Sequence, residues 1–156
     1  MGNNIKDIMS DLKELNTSLK KIIYNSKYEL YDDLSGLEYD KSDADELFLL
    51  DELQLILSKI DNVSQTLNYL EKPIKVEGKL HKNSNGRYEV KGIELSSGYG
   101  IEYLTTDDWH MRYDDNDNYV TTPYWKSSRI EHDGTDYYIV GADYLDTLEN
   151  VLVRIR

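Results

Sequence analysis

Residues 67–78 read LNYLEKPIKVEG, and the periodicity of the chain changes inside this stretch. Before it, apolar residues recur every three or four positions, as on one face of a helix. Pro73 forces the residue before it out of helical geometry, so the helix is expected to end there. After it, β-branched and aromatic residues alternate with polar ones, which is typical of strands. We therefore predict an α+β fold with two domains, a helical one over residues 1–72 and an antiparallel β domain over residues 73–156.

Two apolar series with alternating spacings of three and four residues lie in the helical half. The first is Ile5, Ile8, Leu12, Leu15, Leu19 and Ile22, and the second is Leu53, Ile56, Ile60, Val63, Leu67 and Leu70. Such spacing is typical of a coiled-coil seam. We predict an antiparallel helical hairpin, from Asn3 to about Asn25 and from Ser42 to about Glu71. Pairing between chains is the alternative, and apolar residues outside the seams, such as Ile23 and Leu55, favour it.

Short strands separated by turn residues fill the second half of the sequence. The predicted strands are Ile74 to Leu80, Arg87 to Leu95, Gly100 to Leu104, Ser128 to His132, Asp136 to Val140 and Val151 to Arg156. Asn85-Gly86 and Asp133-Gly134 are typical of tight turns, because both tolerate a positive φ. A flat sheet of this size would leave open edges, so we predict a small antiparallel β barrel or a curled sheet.

An ordered series of short motifs in this half resembles a small domain of unknown function found in proteins of bacteriophages and mobile elements of Gram-positive bacteria. The motifs are Gly78 to Leu80, Asn85 to Val90, Ser97-Gly98, Ile101-Glu102, Trp125, Arg129 to His132, Tyr137 to Val140 and Val153 to Arg156. The resemblance implies a compact β domain in a phage or mobile-element accessory protein and transfers no catalytic residue. The acidic segment Asp107 to Tyr124 and the helical half depart from the pattern. Many small acidic accessory proteins inhibit host defence, anti-CRISPR proteins among them, so that role follows by analogy.

The composition restricts the kinds of partner. The 156 residues contain 18 Lys and Arg, 30 Asp and Glu and no Cys, giving a net charge of −12. An acidic surface repels nucleic acid and anionic lipid, so we expect no direct binding to either and favour basic partners. The absence of cysteine and of an apolar run of ~20 residues predicts a protein of the host cytoplasm that does not cross a membrane.

The connection between the two helices is both acidic and rich in tyrosine. Residues 28–52 contain ten acids and one base, Lys41. Carboxylates with tyrosine contact area suit recognition of a basic protein surface. The predicted partner-binding residues are Glu29, Asp32, Asp33, Glu38, Asp40, Asp43, Asp45 and Glu46, with Tyr28, Tyr31 and Tyr39. The alternative is that these acids are only solvated.

A second acidic cluster lies further along the chain and is predicted to be a flexible secondary contact loop. It consists of Asp107, Asp108, Asp114, Asp115 and Asp117, beside Trp109. Asp114, Asn116 and Asn118 copy positions 1, 3 and 5 of an EF-hand loop. However, Tyr119 replaces the required Gly and Trp125 replaces the final Glu, so we predict no metal site.

No catalytic motif is found, and we expect neither enzymatic activity nor a cofactor. In Glu131-His132-Asp133 neighbouring side chains point to opposite faces of a strand, which favours a structural role for His132. The leading hypothesis is a non-enzymatic inhibitor, monomeric or homodimeric, that acts as a DNA mimic in the basic channel of a host defence enzyme such as Cas9. The alternative is sequestration of an anionic nucleotide by the β half. Its ligands would be Arg87, Arg129, Arg154 and Arg156, unless these pair with Glu89, Glu102 and Glu131.

Overall fold

The computed structural model describes residues 4–106 and 112–156, which divide into two compact units. The helical unit ends at Lys72 and the β unit begins at Pro73. The fold is α+β, with a helical N-terminal part and antiparallel sheets. Within the described ranges, no helix combines the length and the apolar character needed to cross a bilayer.

The helical unit contains α1 (Ile5–Ser26), the single turn α2 (Tyr28–Tyr31) and α3 (Ala44–Glu71). A capping box starts α1: the Asn4 side chain accepts hydrogen bonds from the backbone N–H groups of Lys6 and Asp7, and the Asp7 carboxylate accepts one from Asn4. The N-cap of α3 is Asp43, one residue later than the predicted start at Ser42. The helix α3 ends just before Pro73, as the sequence predicts.

Residues late in α1 contact residues early in α3, as expected for helices that run in opposite directions. The Asn16 side chain donates to Asn68 at 3.0 Å and accepts from the Ser64 hydroxyl at 2.8 Å. Ile23, later in α1, lies in one buried cluster with Leu57, which is earlier in α3. Polar side chains therefore occupy the middle of this contact.

The predicted seams match this contact only in part, through Leu12 and Leu19 of α1 and Ile60 and Leu67 of α3. The residues of α1 that are buried or half-buried are Met9, Leu12, Asn16, Leu19, Ile23 and Ser26. Of the predicted seam in α1, Ile8, Leu15 and Ile22 are exposed. In α3, Ile56 and Val63 are exposed, whereas the next residues, Leu57 and Ser64, are buried. Hydrophobic periodicity could not find the rest of the contact, because hydrogen-bonded Asn and Ser side chains lie at its centre.

The described residues of the β unit form ten strands. They are β1 (Val76–Lys79), β2 (His81–Lys82), β3 (Tyr88–Val90), β4 (Ile93–Glu94), β5 (Gly100–Thr105), β6 (Arg112–Tyr113), β7 (Tyr119–Val120), β8 (Tyr124–His132), β9 (Tyr137–Ile139) and β10 (Leu152–Ile155). The order β1-β10-β5-β8-β9 makes an antiparallel five-stranded sheet, β2-β3-β4 a three-stranded sheet, and β6-β7 a hairpin. The larger sheet has two ends, β1 and β9, so the described strands do not close into a barrel.

Side chains from both larger sheets build the core of the β unit. Its buried members are Leu80, Tyr88, Val90, Leu95, Ile101, Tyr103, Ile130, Ile139, Ala142, Leu148, Val153 and Ile155. One predicted strand, Arg87 to Leu95, is divided into β3 and β4 by a turn at Lys91 and Gly92, which have φ values of 47° and 83°. The pairing of β3 with β4 places Val90 opposite Ile93. Val90 is buried in the core, and the partly buried Ile93 packs against it.

Candidate functional site

The acidic segment, residues 28–52, belongs to the helical unit and is anchored in its buried cluster. Tyr28 is buried in a cluster with Ile23, Leu34 and Leu57, so it anchors the segment and does not belong to its exposed surface. Gly36 lies so close to Lys27 that a Cβ there would meet the Lys27 side chain at 2.8 Å. The chain therefore turns back tightly at this glycine.

Several carboxylates hold the turns of the acidic segment together. Asp33 accepts from the Ser35 N–H at 2.8 Å, and Asp40 accepts from the Ser42 hydroxyl at 2.7 Å and the Ser42 N–H at 2.8 Å. The backbone bond from Ser35 lowers the pKa of Asp33, and the hydroxyl bond from Ser42 lowers the pKa of Asp40. These hydrogen bonds favour the charged carboxylates and fix where they lie.

The start of α3 uses two further carboxylates in the same way. The Asp43 side chain accepts from the N–H groups of Asp45 and Glu46, at 2.8 and 3.3 Å. The Glu46 carboxylate accepts from the Asp40 N–H at 2.6 Å. Acidic groups at a helix N-terminus are stabilised by the helix dipole, so this cluster of charge is compatible with a stable fold.

Other carboxylates of the acidic segment face solvent. Glu29, Asp32, Glu38 and Asp45 are exposed, and their carboxylates make no hydrogen bond within the described residues. Across residues 4–106 and 112–156, no Lys or Arg forms an ion pair with any acid of the segment. The ten acids and one base of this segment thus leave a local charge of −9 that is not neutralised within the described structure.

Exposed aromatic and apolar side chains lie beside these acids. Tyr24, Leu30, Tyr31 and Phe48 are exposed, and Tyr39 is half-buried. Tyr24 and Leu30 line a cavity of about 330 Å³ together with Glu29. Sequence analysis missed Leu30 and Phe48 as surface residues, because apolar residues near a helix are assigned to a core by default.

The described part of the second acidic cluster lies in a hydrogen-bonded turn. Residues 114–118 connect β6 to β7 as a tight hairpin. The Asp114 carboxylate accepts from the N–H groups of Asn116 and Asn118, both at 2.9 Å, and these bonds lower its pKa. The pattern that copies an EF-hand therefore serves the turn itself. Asp115 and Asp117 are exposed, and Asp107, Asp108 and Trp109 lie outside the described residues.

Each of the four arginines considered for nucleotide binding pairs with a glutamate. Arg87 bonds Glu94 and Arg129 bonds Glu131, both at 2.7 Å. Arg154 and Arg156 both bond the buried Glu102 of β5, and the Arg154 guanidinium also stacks 4.4 Å from the centre of the Trp125 ring. These pairs satisfy the cations internally, so the four residues do not form the free cluster that a phosphate would need.

The polar side chains near His132 do not form a catalytic arrangement. The His132 Nδ1 accepts from the N–H of Gly134 at 3.0 Å and its ring packs against Tyr137. The Ser97 hydroxyl donates to Glu131, which is also bonded to Arg129, and both bonds lower the Glu131 pKa. A carboxylate with a lowered pKa is a poor general base. Within the described ranges, no group of three His, Asp or Glu residues is placed to hold a metal.

A comparison with protein families gives one match. The family described as "Domain of unknown function (DUF5348)" matches residues 78–155. The chain belongs to the DUF5348 family. The DUF5348 region begins inside β1, ends at the last residue of β10 and lies wholly in the β unit, which confirms the resemblance to a domain of unknown function. No curated protein and no solved structure matches the chain. The acidic segment lies outside the DUF5348 region, so its role must be argued from its own geometry.

Proposed function

We propose that this DUF5348 protein is a non-enzymatic inhibitor whose acidic segment occupies a basic channel that normally holds nucleic acid. One observation carries the proposal: the acidic segment is held in place by its own carboxylates, while Glu29, Asp32, Glu38 and Asp45 point to solvent without a cation. Fixed negative charges resemble phosphates to a surface rich in Arg and Lys.

The surface combines two kinds of interaction. Its charge of −9 steers a basic partner and raises the association rate, an effect that salt screens. The neighbouring Tyr24, Leu30, Tyr31 and Phe48 add apolar and aromatic contact area, which charge alone does not supply. Aromatic side chains are enriched among the residues that contribute most to protein interfaces.

The proposal includes a biological setting. The protein comes from a phage or mobile element, acts in the cytoplasm of the host, and inhibits a defence enzyme that binds nucleic acid. A CRISPR effector such as Cas9 is the proposed partner, because it holds duplex DNA and an RNA–DNA heteroduplex in positively charged channels. The proposal requires no cofactor and no direct contact with nucleic acid.

The experiment measures binding to Cas9 with its guide RNA, with and without target duplex DNA, at several salt concentrations. We expect the protein to inhibit DNA cleavage, to compete with the duplex, and to bind more weakly as salt rises. Binding that is unaffected by saturating duplex DNA would overturn the mimicry.

A variant with four neutralised carboxylates isolates the role of the acidic segment. It carries Glu29→Gln, Asp32→Asn, Glu38→Gln and Asp45→Asn, which spare the carboxylates that hold the turns. Asp32 has a φ of 52°, a conformation that Asn tolerates. We expect its association rate at low salt to fall by about tenfold or more.

A matched control removes the same amount of charge elsewhere. It carries Asp11→Asn, Glu14→Gln, Asp143→Asn and Asp146→Asn, all at exposed positions outside the acidic segment and the second acidic cluster. We expect nearly unchanged binding. Equal losses in the two variants would show that only net charge matters and would refute a defined surface.

A further inference from the structure

The apolar residues that the α1–α3 contact leaves outside form two matching series. Ile8, Leu15 and Ile22 in α1 and Leu49, Ile56 and Val63 in α3 are each spaced by seven residues and exposed. Leu15 and Val63 are 49% and 47% exposed, whereas the buried Leu57 of the neighbouring phase is 3% exposed. We call these six residues the apolar flank.

The two series lie on the same side of the helical unit. Leu15 and Ile22 each precede a contact residue of α1, and Ile56 and Val63 each precede a contact residue of α3. Positions that follow contact residues lie on the opposite side of each helix. One position of that kind from each helix, Lys20 and Gln65, lines a shared cavity of about 420 Å³. The contact between the helices is therefore polar on one side and apolar on the other.

The spacing identifies what covers the apolar flank. A seven-residue repeat on a helix is complementary to another helix with the same repeat, since each side chain fits between four of the facing helix. Here two antiparallel helices carry the repeat side by side, which is half of a four-helix bundle. A second copy of the chain carries the same repeat on the same surface. A twofold axis between two copies makes these two identical surfaces complementary to each other.

The size of the apolar flank fits a stable dimer. The 22 residues of α1 are about 33 Å long, and two helices packed side by side present a face about 20 Å wide. The whole face that carries the apolar flank is therefore about 660 Å², somewhat below the ~800 Å² that each partner contributes to a standard interface.

Charge decides the orientation of the two copies. The acidic segment, with a charge of −9, lies where α1 ends and α3 begins, so it forms one end of the helical unit. Two copies with these ends together would place −9 beside −9, which is unfavourable even in water. A twofold axis perpendicular to the helices, near Leu15 and Val63, places the acidic segments at opposite ends.

We propose that two copies of this chain pack their apolar flanks against each other, side by side and in opposite directions, as an antiparallel four-helix bundle. In this arrangement α1 faces α1 of the second copy and α3 faces α3 of the second copy. Leu15 meets Leu15 of the second copy, and Val63 meets Val63. The two acidic segments then lie at opposite ends of the bundle.

Cysteine cross-linking tests the arrangement directly, because the natural chain has no cysteine. A disulfide needs Cα atoms within about 7 Å, which the twofold axis provides at position 15. We expect full-length Leu15→Cys to form a covalent dimer under mild oxidation, and the control Lys13→Cys, on the polar side of α1, not to do so. If a disulfide forms only when a Leu15→Cys chain is mixed with a Val63→Cys chain, α1 faces α3 of the second copy, and the antiparallel arrangement proposed here is overturned.

The mass in solution tests the dimer independently of cross-linking. We expect twice the chain mass of 18.2 kDa by light scattering. The double variant Leu15→Glu with Val63→Glu should have the monomer mass and keep its helical circular dichroism. The control Thr17→Glu with Asn62→Glu adds the same charge away from the apolar flank and should stay dimeric. A natural chain with the monomer mass at its highest soluble concentration would overturn the proposal, whatever else covers the flank.

Discussion

Glu102 and Asp32 show that carboxylates have different surroundings in the two units. Glu102 of the β unit is 4% exposed and bonded by both Arg154 and Arg156, whereas Asp32 of the helical unit faces solvent with no cation among the described residues. Lys82 with Asp136 and Arg87 with Glu94 form further pairs in the β unit. Several charges of the β unit are thus paired within the unit, whereas no cation pairs with the acids of the acidic segment among the described residues.

Apolar side chains show the same contrast. In the β unit, twelve buried residues form one core between the sheets. In the helical unit, the buried cluster consists of Ile23, Tyr28, Leu34 and Leu57, while the apolar flank is exposed. Among the described residues, the DUF5348 region therefore holds the larger buried core, and the helical unit has the smaller one. Three predictions test this contrast within the chain.

The largest effect is expected from Glu102→Gln. The change has nearly the same volume but removes the charge between two largely buried arginines. Removing one partner from a buried ion pair costs about 3–5 kcal/mol, because the remaining cations lose the carboxylate that compensates their desolvation. Chemical denaturation followed by tryptophan fluorescence measures it, since Trp109 and Trp125 both belong to the β half.

The control for Glu102→Gln is Glu131→Gln, which breaks the pair of a half-buried carboxylate with the exposed Arg129. Exposed pairs contribute little to stability, so we expect a much smaller change. If the two variants lose equal stability, burial does not distinguish the charges of the β unit and the contrast between the units fails.

The sequence predicts the helices and strands better than the contacts between them. Pro73 marks the boundary between the units, and the strands at Gly100 to Leu104 and Val151 to Arg156 are close to β5 and β10. Local periodicity and turn residues suffice for these features. The split of β3 from β4 escapes prediction, because Lys91 adopts a positive φ that is uncommon for a residue with a side chain.

For the candidate site, the sequence locates the acidic segment but not the roles of its residues. Asp33, Asp40 and Asp43 hold turns, Tyr28 is buried, and Glu29 faces solvent. All are polar or amphipathic residues in one short stretch, so composition cannot separate them. The pairing of Glu102 with Arg154 depends on two strands about 50 residues apart in the chain, and only the sheet register brings them together.

An intermediate effect is expected at the start of α3. Asp43→Ala removes the side-chain acceptor for the N–H groups of Asp45 and Glu46. Loss of an N-cap costs about 0.5–2 kcal/mol. Denaturation followed by far-ultraviolet circular dichroism, which is dominated by the helices, measures this loss.

The isosteric change Asp43→Asn keeps the acceptor, so it should retain most of the stability that Asp43→Ala loses. The tryptophan signal of the β unit should not respond to either variant. A coincident shift of the fluorescence and circular dichroism transitions would mean that the two units unfold as one, contrary to the description of two compact units.

The smallest effect is expected from pH, and it should differ between the units. Hydrogen bonds hold several carboxyl pKa values of the β unit below their usual range. These carboxyls, each with the partner that lowers its pKa most, are Glu94 with Asn83, Glu131 with Ser97, Asp136 with Lys82 and Glu149 with His81. In the acidic segment, Asp33 and Asp40 have lowered pKa values for the same kind of reason.

A carboxyl whose pKa is lower in the folded state stabilises the fold above its unfolded pKa, about 4, and loses that contribution as pH falls through the folded value. Stability should therefore change little between pH 7 and about 5 and fall below about 4 in both units. In the acidic segment, protonation also relieves repulsion among ten acids, which opposes the loss. The fluorescence transition should consequently move more than the circular dichroism transition on acidification. A larger shift for the helices would mean that the acids of this segment stabilise the fold more than they repel one another, which would weaken their assignment to a partner.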